Sequence, residues 1–514
     1  MNALEMMNII NRIETELPVN QWTIGDLHIW PLVRIQLGMD LFYRNNTISP
    51  SPPIRHSIKE AVKGLFDREF RFLVARWTDR SHNLAGFPQA PALFLSDGIS
   101  FISLAGRSYD RFCDPLRDYL RAIGVESVML TPGDRFDVPR HSESKFIQPM
   151  LDWIQVKNKL ARPERSLSQN LPRWDGLGKS RTNLLSGAIP SIAVIRKEVG
   201  LILAYADYFE KVLERVRPQA CFLVSFYWLI GYGLLLACRR KGIPSIDIQH
   251  GLQGELHQSY GRWLNTPAQG YELLPSWFWC WHEADVDAIE KWSKATNGVH
   301  RAVVGGNLFL ETCRQGIVTF VQECDEVLKE KMSERSYHCH VLVTLQRGLL
   351  TNDFVLLLLK AIADTHAAFL WWIRLHPTMD AKEQTTVKET FGLCKNVELA
   401  LATDLPLYAL LRHVSVHVTH CSSVVLEAER FGVRSVVCSR FGLELFPDQV
   451  AKGIVVHATS VDELKACIQW QSVNRLSLDN LADESERNIE QSHRLMRQFL
   501  ASKDLPGGEK GVVQ

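Results

Sequence analysis

The sequence predicts an α/β protein made of two Rossmann-like domains facing one cleft. Three observations carry that expectation. Short apolar runs alternate with helical stretches through most of the chain, as they do where parallel strands are covered by helices on both faces. The rhythm pauses at a charged helical stretch, Val321 to Glu334, and then restarts. The length, 514 residues, exceeds what one core ordinarily organises.

Residues 1–45 read as a helical preamble. Trp22, Ile29, Trp30, Val33, Leu37 and Leu41 fall mostly at helical spacing, and Pro31 marks a helix start because its fixed φ suits a first turn. Packing on the main body is the expected use of that face. The alternative is an amphipathic foot on the inner membrane with Arg34 and Arg44 near headgroups, against which the lack of a basic cluster argues. Asn45 to Arg55 holds three prolines and reads as a linker, which closes a first segment at 1–55.

A first Rossmann-like domain is expected over 56–320. Its strands are Ala92–Asp97, Ser127–Leu130, Ala220–Phe226, Ser245–Gln249, Trp277–Trp281 and Ala302–Val304, with helices over Asp114–Ile123, Ile192–Val216 and Leu229–Arg240. Lys157 to Thr182 carries seven Lys or Arg residues with Pro163, Pro172, Gly176 and Gly178, and reads as a mobile, solvated loop. A second domain is expected over 321–478. Its strands are His340–Leu345, Phe369–Leu375, Val397–Ala400, Val414–Val418 and Ser435–Cys438, with helices over Phe354–Ala363 and Ser423–Phe431. Residues 479–514 form a last helix, Asp479 to Phe499, and a frayed tail from Gly507.

Composition narrows the function classes. The 58 basic and 57 acidic residues give a net charge of +1, so there is no basic excess of the kind that nucleic-acid binding needs. The 11 cysteines include no C-x-x-C pair, which disfavours a disulfide framework or zinc ribbon and suits a reducing cytosol. The first 20 residues carry Glu5, Glu14 and Glu16 without a long apolar run, unlike a secretory signal. No stretch has the uncharged length to span a bilayer.

Ligands of open α/β sheets bind beyond the carboxyl ends of the strands, and four segments sit there. Thr344-Leu345-Gln346-Arg347-Gly348 ends the first strand of the second domain. Gln346 and Arg347 are candidate ligand contacts, with Arg347 suited to phosphate, unless this is a plain strand-to-helix loop. Arg374-Leu375-His376-Pro377 ends the next strand; His376 can donate to a phosphate oxygen, although His-Pro is often only a turn. Thr419-His420-Cys421-Ser422-Ser423 precedes a helix, so Ser422 and Ser423 either cradle an anion or serve as an N-cap. Glu427 lies one turn on, on the same helix face as Ser423, where a carboxylate can accept from ribose hydroxyls.

The fourth segment, Gln249-His250-Gly251, is in the first domain. His250 is a candidate base or acceptor contact, or a structural turn histidine. Ser96-Asp97-Gly98 ends an earlier strand there, and Asp97 is a candidate general base or part of an Asp-Gly turn. The one prominent D-x-D, Asp285-Val286-Asp287, falls in a helix whose solvated face explains it, and no His/Cys cluster has zinc spacing. Chemistry without a metal or cofactor is expected.

Ser96-Asp97-Gly98, His376-Pro377 and Ser422-Ser423, in that order, resemble the acidic-Gly, H-P and paired S/T-S motifs of bacterial surface-polysaccharide glycosyltransferases. That group includes the Kdo transferases, sialyltransferases and polysialyltransferases that use CMP-linked acidic sugars. Ser96 departs from the pattern, which has an acidic residue there. The resemblance covers roughly Ala92 to Ile468. It implies the GT-B architecture, an acceptor domain followed by a nucleotide-sugar domain, and a glycan or lipid-linked acceptor at the inner face of the cytoplasmic membrane. It also implies that Asp97 takes the acceptor proton, that His376 assists the CMP phosphate, and that Ser422 and Ser423 hold it. Pro244–Gly251, Trp277–Trp281 and Val304-Gly305-Gly306-Asn307 are similar to CDP-glycerol enzymes and to sugar 2-epimerases of the same fold. Those reactions, and a non-catalytic role in polysaccharide assembly, are the competing expectations.

Overall fold

The computed structural model describes residues 3–45, 86–133, 138–179, 190–316, 318–334, 336–348, 352–474, 476 and 481–501. Most of the expected linker and the tail from Gly507 lie outside the described residues. The chain divides into two compact units. An N-terminal unit comprises Met7–Phe42, Pro50–Leu308 and Glu490–Gln514; a C-terminal unit comprises Met1–Met6, Tyr43–Ser49 and Phe309–Ile489. Each is α/β with a parallel sheet of Rossmann type.

In the N-terminal unit, β1 (Thr23–Ile24) and β2 (Leu27–His28) form a short ribbon. The strands that follow are β3 (Ala92–Leu95), the hairpin β4 (Phe101–Leu104) and β5 (Arg107–Asp110), β6 (Ser127–Thr131), β7 (Lys145–Phe146), β8 (Gln169–Asn170), β9 (Ala220–Val224), β10 (Ser245–Ile248), β11 (Trp277–Cys280) and β12 (Arg301–Val304). The main sheet runs β12-β11-β10-β9-β3-β6-β7, and all its pairings are parallel. Every residue of β3, β9, β10 and β11 is buried, which is why these strands read as unbroken apolar runs. Helix Ile192–Val216 starts at Ser191, whose side chain accepts from Val194 N, and lies against helix Leu229–Lys241. A Cβ on Gly233 would stand 2.5 Å from Tyr205 Cβ, so only glycine permits that approach.

The N-terminal segment is packed, as its apolar face suggests. Helix Trp30–Asn45 begins one residue before Pro31. Trp22 and Trp30 are completely buried, each removing up to about 5 kcal/mol worth of apolar surface from water. Arg34 corrects the membrane-foot alternative. Its side chain is completely buried and ion-paired to Glu14 at 2.9 Å, so it is out of reach of any headgroup; the Arg44 side chain is outside the described residues. Among the described residues, no helix is long and apolar enough to cross a membrane.

The polar stretch expected as a mobile loop is anchored over its described part, 157–179. β8 pairs antiparallel with β1, and Trp174 packs edge-on to Trp22 with centroids 4.8 Å apart. Arg196 donates to the carbonyls of Glu164 and Leu167 at 2.7 and 2.9 Å. Its charges ride on a segment held by tryptophan burial and backbone pairing, which charge counting does not register.

The C-terminal unit contains β13 (Cys339–Thr344), β14 (Phe369–Arg374), β15 (Val397–Glu398), β16 (Val416–Thr419), β17 (Ser435–Val437) and β18 (Val455–His457). They are arranged β15-β14-β13-β16-β17-β18, all parallel. Val341, Val343, Trp371, Ile373, Val416 and Val418 build its core with Leu358, Ile362, Leu464 and Ile468 from the covering helices. Helix Leu481–Leu500 begins in this unit and ends in the other.

Candidate functional site

In the C-terminal sheet the chain leaves β13, builds outward to β15, and returns to the other side of β13 as β16. The switch point is therefore between β13 and β16, and a ligand crevice is expected at their carboxyl ends. Gln346 follows β13, and its Oε1 accepts from Cys421 N at 3.0 Å and from Cys421 Sγ at 3.3 Å. Two of the loops singled out in the sequence are thus tied together across the switch point. Below them, Thr419 Oγ1 donates to Thr344 O at 3.0 Å and accepts from Ser422 N at 3.2 Å.

Ser422 is buried, and its Oγ accepts from Val424 N at 3.3 Å. Ser423 has helical φ/ψ and makes no capping bond. The capping role therefore belongs to Ser422, while Ser423 is half-buried. The helix after them, Val424–Arg430, has 7 residues. Glu427 on it is 4% exposed and accepts from Tyr408 OH at 2.7 Å. Tyr408 fixes that carboxylate and was not foreseen, because it comes from helix Leu407–His413 on the other side of β16.

His376 follows β14, one strand from Gln346. Its Nδ1 accepts from Thr378 N at 3.2 Å and lies 2.9 Å from Thr378 Oγ1. A backbone N–H can only donate, so Nδ1 is the acceptor and a neutral ring carries its proton on Nε2. Pro377 beside it is exposed. Arg374 is committed elsewhere, donating to the carbonyls of Ala402 and Leu405 at 2.6 Å each. Arg347 is exposed and lies 3.9 Å from Glu383. His420, in the loop with Ser422, is held neutral by burial, which pulls its pKa down to about 4.

The N-terminal sheet carries a second polar cluster. Its switch point is between β3 and β9, and the segments after β3, β9 and β10 meet there. Asp97 Oδ1 accepts from Ile99 N and Ser100 N at 2.9 Å each, and Oδ2 accepts from Ser100 Oγ at 2.6 Å. Gly98 adopts φ +79°, so the Asp-Gly turn is present, with the carboxylate of Asp97 as its anchor. His250 Nε2 lies 2.8 Å from Ser225 Oγ and 3.2 Å from Tyr227 OH. Burial lowers the His250 pKa to about 4, the charge of Asp97 opposing and that of Arg111 reinforcing the shift. The fold thus brings Asp97 and His250 into one electrostatic neighbourhood from strands far apart in sequence.

Asp110, at the end of β5, is the unforeseen member. Its Oδ2 accepts from Ser96 Oγ at 2.6 Å, and its Oδ1 accepts from the amides of Phe112 and Cys113. Complete burial, together with the charges of Asp97 and Asp114, raises its pKa to about 6. Ser96, where the resembled motif has an acid, is therefore hydrogen-bonded to a carboxylate from the hairpin. Asp247 in β10 is also buried, which raises its pKa to about 8; it accepts from Phe226 N at 3.1 Å and Tyr260 OH at 3.0 Å.

The D-x-D reading needs one correction. Asp285 is 8% exposed and accepts from Gln249 Nε2 at 3.1 Å, whereas Asp287 is exposed. The pair does not share a solvated face. Among the described residues, no group of three His, Cys, Asp or Glu side chains is placed to hold a metal ion.

No family model and no curated protein matches the chain. Solved structures similar to it include the UDP-GlcNAc 2-epimerase of Neisseria meningitidis bound to UDP-GlcNAc, at 14% identity and TM-score 0.47, covering 78% of this chain and 98% of that one. The UDP-N-acetylglucosamine 2-epimerase of Rickettsia bellii is similar at 9% identity and TM-score 0.48, covering 80% and 97%. A glycotransferase of kitacinnamycin is similar at 14% identity and TM-score 0.38, covering 80% and 97%. The assignment of two Rossmann-like units rests on the order and direction of this chain's own strands.

Proposed function

We propose that this chain is an enzyme acting on a nucleotide-activated sugar. The observation that carries the reading is the bond from Cys421 N to Gln346 Oε1 across the β13/β16 switch point. It gathers Gln346, Arg347, Ser422 and Ser423 at one end of one sheet, with His376 Nε2–H a strand away. In this reading those groups and Pro377 surround the nucleotide phosphate, and Glu427, fixed by Tyr408, takes the ribose hydroxyls. No metal or cofactor enters; Arg347, the His376 N–H and the loop amides answer the phosphate charge.

Asp97 and His250 handle the sugar or acceptor hydroxyl. Transfer of an acidic sugar from a CMP donor to a glycan or lipid-linked acceptor, in the cytoplasm at the membrane face, rests on the order of the motifs. Epimerisation of a UDP-sugar has a specific observation in its favour. Moving a proton off and back onto a sugar carbon needs an acid beside a base, and Asp110 joins Asp97 at this strand end through the 2.6 Å bond from Ser96 Oγ, burial raising its pKa.

The test is thermal stabilisation by UDP, CMP, CDP, GDP and ADP, with His376→Ala and Ser423→Ala as controls. A nucleotide at about one hundred times its Kd stabilises by about 2.7 kcal/mol, a shift of several degrees. Stabilisation that both variants lose supports the site, and a silent screen overturns it. If UDP binds, UDP-GlcNAc is then incubated without any acceptor. Epimerisation proceeds under that condition, and transfer does not.

A further inference from the structure

The His250 ring is gripped at one nitrogen only. Nε2 has Ser225 Oγ at 2.8 Å and Tyr227 OH at 3.2 Å, whereas Nδ1 is buried with no hydrogen-bond partner. Both hydroxyls come from the turn after β9, and that turn is held in an unusual shape. Ser225 adopts φ +57°, the left-handed region that side chains avoid and that functional turns often retain. Asp247 pins the next residue by accepting from Phe226 N. The other oxygen of Asp247 accepts from Tyr260 OH, and the Tyr260 ring stands edge-on to Tyr227 with centroids 6.1 Å apart.

A neutral imidazole carries one N–H. If that proton were on Nδ1, a donor would be buried unpaired, and orphaned buried N–H groups are rarer than under-satisfied acceptors. With the proton on Nε2, Ser225 Oγ accepts it and Nδ1 keeps a lone pair. A lone pair left there is complemented by a donor such as a hydroxyl group, which a bare oxyanion does not supply.

We propose that Ser225 and Tyr227 are positioning residues that hold His250 as its Nε2–H tautomer, so that Nδ1 accepts a hydrogen bond from a hydroxyl of the bound ligand. Only the binding of a hydroxyl-bearing ligand there rests on the proposed function; the tautomer does not. The experiment is two-bond 1H–15N NMR of the full chain labelled with 15N-histidine at pH 7, with His250→Gln used to assign the signal. The expected pattern is a protonated Nε2 and an unprotonated Nδ1. Ser225→Gly removes the hydroxyl while suiting the positive φ, and combining it with Tyr227→Phe removes both oxygens. The double variant should shift His250 towards a mixture containing Nδ1–H while still unfolding in a cooperative transition. A wild-type signal from Nδ1–H or from imidazolium overturns the proposal, as does a double variant with the wild-type pattern. If the double variant does not fold, the same criteria apply to Ser225→Gly alone. No substrate is needed, so this result and the nucleotide screen can fail independently.

Discussion

Replacing Glu14 by Gln distinguishes a buried N-terminal segment from a surface-seeking one. Glu14 and Arg34 are 1% and 0% exposed. Glu14 Oε1 accepts from Arg34 Nε at 2.9 Å and from Trp30 Nε1 at 2.8 Å, and Oε2 accepts from Leu264 N at 2.9 Å. Arg34 also donates to the carbonyls of Gly261 and Arg262 and lies 4.2 Å from the Trp263 ring. The pair therefore clamps the segment that follows His250. Burial lowers the Arg34 pKa, and the charge of Glu14 holds it up. Gln keeps the shape of Glu and one acceptor but leaves the guanidinium buried without its counter-charge. Breaking a buried pair this way costs about 3–5 kcal/mol, whereas an exposed pair is worth at most about 1. At roughly 1.5 °C per kcal/mol for a unit of about 320 residues, the midpoint should fall by about 4–8 °C. The assay is calorimetry resolving the transition of the N-terminal unit, since two units need not unfold together. Glu14→Leu with Arg34→Met removes both charges and should recover part of the loss. A Glu14→Gln midpoint within about 2 °C of wild type would refute the clamp.

Two further predictions concern the sites. Asp247 has its folded pKa raised to about 8 from an ordinary value of 3.8. The folded state therefore binds more protons than the unfolded one between those values, and stability falls as pH rises through that window. Asp247→Asn should flatten this slope between pH 4 and 8 in denaturant titrations; an unchanged slope would place the ionisation elsewhere. Tyr408→Phe removes the hydroxyl that donates to Glu427 at 2.7 Å. It should weaken nucleotide binding several-fold in calorimetric titration while leaving Glu427 in place, whereas equal affinity would detach Glu427 from the ribose.

How much of this was legible depends on whether the signal was local. Strands such as β3, β11 and β14 stand out because both faces are buried and each is a continuous apolar run. The hairpin of β4 and β5 escaped notice because β4 is only partly buried and its sequence, FISLAGRSYD, breaks at Gly106. β18 is only three residues long. Helix Val461–Val473 does carry a local signal, the capping box of Ser460 with Glu463.

The site divides along the same line. The loops after β3, β10, β13, β14 and β16 are legible because each is contiguous in sequence and ends an obvious strand. Their partners are not, because each arrives through tertiary structure from a distant stretch of sequence. Asp110 reaches Ser96 by way of a hairpin, Ser225 reaches His250 because β9 and β10 are neighbours, and Tyr408 reaches Glu427 from another helix. A hydrophobic period marks a strand but does not say which strand lies beside it. Ser96 shows the consequence. Taken alone, its lack of a carboxylate weakens the resembled motif, but the 2.6 Å bond from its hydroxyl to Asp110 puts an acid at that end of the sheet by another route. Judging a motif by adjacent letters is therefore unsafe wherever a hairpin inserts between the strand and its helix.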